Sequence, residues 1–124
     1  MKKNSIKNTR INKEVAREMS EILRKDLKDP RVDPIKTSVM EALVTPDLKY
    51  AKIFVSVFGS EPDKENTMNA LKHSSSYIRH LLAQRLNLRN TPELTFLLDE
   101  SIEYAAKMSQ RIEEVRSMES KGEE

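Results

Sequence analysis

The sequence predicts an α+β domain in which helices cover one face of a three-stranded sheet, in the order α, β, β, α, kink, α, β, α. Three observations carry that expectation. Apolar residues recur at helical spacing at Ile11, Val15, Met19, Ile22, Leu23 and Leu27. Two runs rich in β-branched and aromatic residues, 35–44 and 50–58, flank the turn-forming stretch Thr45-Pro46-Asp47-Leu48-Lys49. A connection of roughly thirty residues then leads to a third run, 93–98, long enough for a crossover that returns parallel to an earlier strand.

Each element follows from local chemistry. Asn12 is placed to cap the first helix, and Asp29-Pro30-Arg31-Val32-Asp33-Pro34 ends it, because proline cannot continue a helix and holds its predecessor extended. The next two runs pair as an antiparallel hairpin. In the second, Ala51, Ile53, Val55 and Val57 form the core face, while Tyr50, Lys52, Phe54, Ser56 and Phe58 point the other way. The aromatics on that second face are read as cross-strand packing rather than base stacking. After Gly59, Ser60-Glu61-Pro62-Asp63 has the pattern of a capping box, and Leu71, Ile78, Leu81 and Leu82 continue at helical spacing. Ser74-Ser75-Ser76 interrupts that helix, since serine hydroxyls compete for backbone hydrogen bonds, and a kink is expected there.

Pro92 opens the third strand, and Asp99 begins a last helix whose Ile102, Ala105, Ala106, Ser109 and Ile112 face inward. The organisation is therefore a flexible basic N-terminus over residues 1–9, one domain over 10–118, and a disordered polar tail over 119–124.

At 124 residues there is room for one domain. The absence of cysteine excludes disulfides, thiolate zinc sites and cysteine nucleophiles, and a cytoplasmic monomer is the expectation. No long apolar run suggests secretion or a membrane span. The net charge of +2 conceals sorting along the chain. Residues 1–30 hold nine Lys/Arg against five Asp/Glu, residues 64–92 hold five against one, and residues 93–124 hold four against nine. Sorted charge attracts phosphates in a way that an even mixture does not, although solvated helix faces account for the same counts.

Catalytic patterns are missing. His73 and His80 lie seven residues apart, about 10 Å along a straight helix, too far for a shared metal. The serine run lacks a visible base, orienting group and oxyanion site. Two glycines cannot build a nucleotide-binding loop. No metal and no cofactor is expected. What remains is a basic surface on the kinked helical pair, with Lys64, Lys72, Arg79, Arg85 and Arg89 beside the two histidines.

The stretch Arg89-Asn90-Thr91-Pro92-Glu93-Leu94-Thr95-Phe96-Leu97-Leu98-Asp99-Glu100-Ser101 resembles the R-x-x-P-E-L-x-F-x-x-D-x-S signature of bacterial ribosome-binding factor A. Asp29-Pro30-Arg31, Pro46-Asp47-Leu48 followed by Ala51, Val55-Ser56-Val57-Phe58-Gly59, and Tyr77-Ile78-Arg79 before Leu82 are similar to that family in the same order. The resemblance implies a type II KH-like domain in which the phosphate-clamping G-x-x-G loop is replaced by a kinked A-x-G. Ser74-Ser75-Ser76 stands at those positions, so the family's glycine is absent.

The resemblance further implies a non-catalytic factor that binds 16S ribosomal RNA on the 30S subunit. It would assist late maturation and 5′-end processing and support growth in the cold, with an assembly GTPase as a possible companion. The RNA-binding residues are then Lys72, His73, Ser74, Ser75, Ser76, Arg79, Arg85 and Arg89, with Lys7, Arg10, Lys13 and Arg31 as further candidates. The alternative is a protein-interaction adaptor working through the acidic C-terminal helix and exposed aromatics. An RNA-processing enzyme is disfavoured, since no acidic cluster or histidine pair converges. On the sequence alone, Arg85→Glu with Arg89→Glu is expected to abolish cosedimentation with small subunits and leave the fold intact.

Overall fold

The computed structural model describes residues 6–122, and side chains over 9–116. Helix α1 spans Ile6–Glu21 and runs into a single π-turn, Ile22–Asp26. Strands β1 (Thr37–Val44) and β2 (Tyr50–Val57) form the hairpin. Helices α2 (Glu61–His73) and α3 (Ser75–Arg85) follow, then β3 (Glu93–Leu98) and α4 (Ser101–Gly122). The sheet order is β1-β2-β3, with β1 antiparallel and β3 parallel to β2. The expected order of elements and both strand pairings are therefore found.

Helices α1, α2 and α3 pack on one face of this sheet. Between the layers Met19, Ile22, Ile53, Leu71, Ile78, Leu82 and Phe96 are almost wholly removed from water. The inward set of β2 is the expected one, with Ala51, Ile53, Val55 and Val57 all buried. On the opposite face Phe54 is half-buried between its register partners Glu41 and Leu97. Tyr50 and Phe58, expected to pack across strands, stand exposed.

Several expectations are corrected. Helix α1 starts at Ile6, so it overlaps the segment read as a flexible N-terminus, of which residues 1–5 lie outside the described residues. Asn12 sits inside the helix rather than at its cap. It is buried, and its Oδ1 accepts the backbone N–H of Val44 at 2.8 Å, tying α1 to β1. The α1 pattern ends in a π-turn because Leu27 N–H reaches Ile22 O at 2.9 Å, five residues back. In β1 the register shifts between Val39 and Glu41. That bulge moves Glu41 out and Ala42 and Val44 in, which strict alternation from Thr37 does not allow.

Helix α4 departs furthest from expectation. Ile102, Ala105, Ala106, Ser109 and Ile112 are all exposed, and the helix continues past Met118 into the segment read as a disordered tail, whose last residues, 123–124, are not described. Its first turn is held instead by Lys64, whose side chain is 7% exposed and donates to Glu100 at 2.9 Å and Glu103 at 2.7 Å. These two carboxylates, Glu103 foremost, raise the Lys64 ammonium above its ordinary range, so it stays charged throughout neutral and mildly alkaline pH. Lys64 is thereby withdrawn from the basic surface read in the sequence.

The same applies to Arg85. Its guanidinium donates to Asp26 Oδ2 at 2.7 and 3.2 Å and to Glu18 Oε1 at 3.1 Å, joining α3 to α1 and its π-turn. Asp26, then Glu18, hold it more firmly protonated than usual.

Asn12→Ala is expected to cost about 0.5–1.5 kcal/mol by removing the buried hydrogen bond that ties α1 to β1, read as a lower urea midpoint at unchanged slope. Arg85→Glu alone is expected to lower the melting temperature, since it sets a third carboxylate against Glu18 and Asp26. Arg89→Glu alone should leave it unchanged, and equal melting of the two variants would contradict the structural role of Arg85.

Candidate nucleic-acid interface

The helical crossover breaks at Ser74, whose backbone (φ −93°, ψ 9°) leaves helical geometry for one residue and separates α2 from α3. The break forms without glycine because these angles lie in a region open to serine. Ser74 N–H still bonds Ala70 O at 3.0 Å, and Ser74 O accepts Ile78 N–H at 2.9 Å, so the chain turns without leaving those groups unpaired. Upstream, the capping box forms as the sequence indicates: Ser60 Oγ accepts from Asp63 N–H and Asp63 Oδ2 accepts from Ser60 N–H. The Ser60 donors hold the Asp63 carboxyl below its usual range. Gly59, at φ +151°, is needed here, since a Cβ would lie 2.8 Å from that same Oδ2.

The bend gathers part of the predicted set. Lys72 and His73 close α2 and are exposed, Ser74 and Ser75 are half-buried, and Ser76 is exposed. One turn on, Arg79 donates through Nε at 3.1 Å and Nη2 at 2.8 Å to Thr91 O, pinning the connector between α3 and β3 to the helix. Ser76, Arg79 and His80 line an open cleft of about 690 Å³, whose other wall carries Lys49, Tyr50 and Asn90. Arg79 still has N–H donors to spare, and Tyr50 offers an exposed ring. Arg89 lies exposed on the connector, and among the described residues neither it nor Lys72 has an ion-pair partner.

Other candidates sit apart or are occupied. Arg31 is bound to Asp29, whose carboxyl also accepts the Arg31 backbone N–H. That carboxyl is held below its ordinary range by the Arg31 side chain first, its backbone N–H second, and a smaller field from His73. Arg10 and Lys13 are exposed on α1, beside a shallow concavity shared with Arg17 and Glu14. The Lys7 side chain lies outside those described. Among the described residues no cluster of His, Asp and Glu could hold a metal ion, and no helix is long and apolar enough to cross a membrane.

Sequence reasoning missed Lys49, Tyr50 and Asn90 as cleft residues. Lys49 and Tyr50 reach α3 only because β3 pairs beside β2, a contact that local periodicity does not encode. Asn90 lies inside the signature stretch, and its place in the R-x-x-P segment was the available signal.

A family model described as ribosome-binding factor A matches residues 7–112. The chain is 53% identical over 115 residues to ribosome-binding factor A of Agathobacter rectalis, covering 93% of this chain and 94% of that one. It is 40% identical over 119 residues to the protein of the same name from Caldanaerobacter subterraneus, covering 96% and 97%. Among solved structures, the crystal structure of ribosome-binding factor A from Thermus thermophilus superposes with a TM-score of 0.64 at 24% identity, over 73% of this chain and 94% of that one. A homology model of the Thermus thermophilus factor, fitted into the electron cryomicroscopy map of a 30S complex with ribosome-binding factor A, gives 0.59 at 25% identity, over 72% and 91%. The α+β fold is thus KH-like. By sequence over nearly its whole length, this chain belongs to the ribosome-binding factor A family.

Proposed function

We propose that this chain acts in the cytoplasm as a non-catalytic assembly factor of the small ribosomal subunit, binding 16S ribosomal RNA through the broken helical pair. The observation that carries the reading is the set of exposed basic side chains and histidines on the broken helical pair and the connector that follows it. Lys72 and His73 end α2 beside Ser74, Ser75 and Ser76, Arg79, His80 and Lys49 line the adjoining cleft, and Arg89 stands exposed on the connector after α3. Phosphate oxygens satisfy Lys72, Arg89 and the spare donors of Arg79 without displacing a structural partner, and base edges then supply selectivity. The 30S complex of the Thermus relative supports the choice of target.

Arg85 is assigned to the scaffold instead, because Asp26 and Glu18 already satisfy its fork. Lys7, Arg10 and Lys13 are secondary contacts on α1, and Arg31, already paired with Asp29 in the loop after the π-turn, is a lesser contact apart from them. The biological role is late maturation, including 5′-end processing of 16S RNA, with growth in the cold as the physiological readout. The chain works as a monomer, and an assembly GTPase is the partner that would act on the same particle.

One observation favours a second reading, a protein adaptor. Helix α4 displays Ile102, Tyr104, Ile112 and Val115 to solvent, each more than half exposed. Removing residues after Leu98 separates the two: an adaptor loses its partner, whereas an RNA binder keeps most of its affinity for the particle.

Lys72→Glu combined with Arg89→Glu is expected to remove cosedimentation with 30S particles while leaving the melting curve unchanged. For RNA affinity, replacing both by alanine should make the slope of log affinity against log salt shallower by about 1.4 to 1.8. Unchanged cosedimentation and slope would overturn the assignment of this surface.

A further inference from the structure

On the side of α3 away from the large cleft lies a smaller groove of about 410 Å³, formed where the loop after the π-turn meets the helix break. Its walls include Asp26, Lys28, Asp29, Pro30, Ser74 and Tyr77. Tyr77 is 51% exposed, so its ring offers a free surface rather than a packed one. The two carboxylates are already committed. Asp26 is engaged by Arg85, and Asp29 by both the guanidinium and the backbone N–H of Arg31. Lys28 is exposed, and among the described residues it has no ion-pair partner, so it is the one charged group of the groove not already engaged, and it stands beside an aromatic face.

We propose that this groove takes one unpaired base of single-stranded RNA, stacked on the Tyr77 ring, with Lys28 meeting its phosphate. The inference rests on the reading that the broken helical pair faces RNA and names the kind of RNA it takes. An aromatic ring stacks on any base, because every base has a π-face, so the contact selects strandedness and not sequence. A base inside a duplex keeps its faces against its neighbours and has none to offer the ring. Pro30 fills out an apolar wall, and the size suits a small planar group at the lower end of the usual range of ligand sites. The exposed Lys72 and His73 lie just beyond Ser74, where the strand would continue toward the larger cleft. Tyr77 is then a second contact point, separated by the helix itself from Arg79 and His80.

The test measures affinity of the full chain for oligoadenylate, single-stranded and annealed to oligouridylate, alongside cosedimentation with 30S particles. Tyr77→Ala is expected to weaken single-strand binding about tenfold or more and to leave duplex binding unchanged, while Tyr77→Phe retains affinity. Lys28→Ala should make the single-strand salt slope shallower by about 0.7. Equal binding of both strand forms by the wild type and by Tyr77→Ala overturns the inference, and continued cosedimentation of the variant leaves the proposed function standing. Absence of wild-type binding to RNA and particles alike overturns both. If Tyr77→Ala loses the particle but binds oligoadenylate as the wild type does, the ring contacts a ribosomal protein and base stacking is ruled out.

Discussion

The parallel placement of β3 beside β2 is the constraint from which the rest of the architecture follows. A parallel neighbour can be reached only by carrying the chain back to the start of the sheet, and here that return is helical. A straight rod of the combined length of α2 and α3 would extend about 36 Å, whereas eight residues of strand cover about 26 Å. The crossover therefore has to bend to stay over the sheet it covers. The bend falls at Ser74, and Leu71 on one side and Ile78 and Leu82 on the other still reach the same core. The surface proposed to meet RNA is in this sense a by-product of closing the sheet: the break that lets the helices fit also clusters the ends of two helices.

Charge counted along the sequence and charge presented at the surface turn out to be different quantities. Lys64 and Arg85 belong to a segment that is strongly basic by composition, yet Glu100 and Glu103 take up the first, and Asp26 and Glu18 the second. Both sets of acids come from segments far away in sequence. What these pairs contribute is registration of helices: Arg85 sets α3 against α1, and Lys64 sets the start of α4 against α2. The cations left over lie near the break and on the connector that Arg79 fastens through Thr91.

The elements governed by short-range rules were legible in the sequence. The helical period through Val15, Met19 and Ile22, the alternation from Ala51 to Val57, the capping box at Ser60 and Asp63, and the serine break all act within a few residues and left a pattern. What escaped was decided by distant partners. Asn12 looked like a cap because its type suits one, but the Val44 N–H, thirty-two residues away, determines its role. The bulge after Val39 was hidden because Thr37 to Val44 mixes polar and apolar residues too freely to fix a parity. Helix α4 was read as packed because Ile102, Ala105 and Ile112 share a stripe, and a stripe shows that a face could be covered without showing that this domain covers it. For the candidate site, the bend and most of its cations were legible, while Lys49 and Tyr50 and the withdrawal of Arg85 depended on tertiary pairing.

Asn12 has one more consequence. Strand β1 forms an outer margin of the sheet, and an open margin of this kind invites strands of other molecules to extend it. By occupying the amide of Val44 at the strand's end, the buried carboxamide of α1 removes one of the bonds such an intruder would need. The side chain that docks the first helix thus also guards a small domain against adding itself, strand to strand, to its neighbours in a crowded solution.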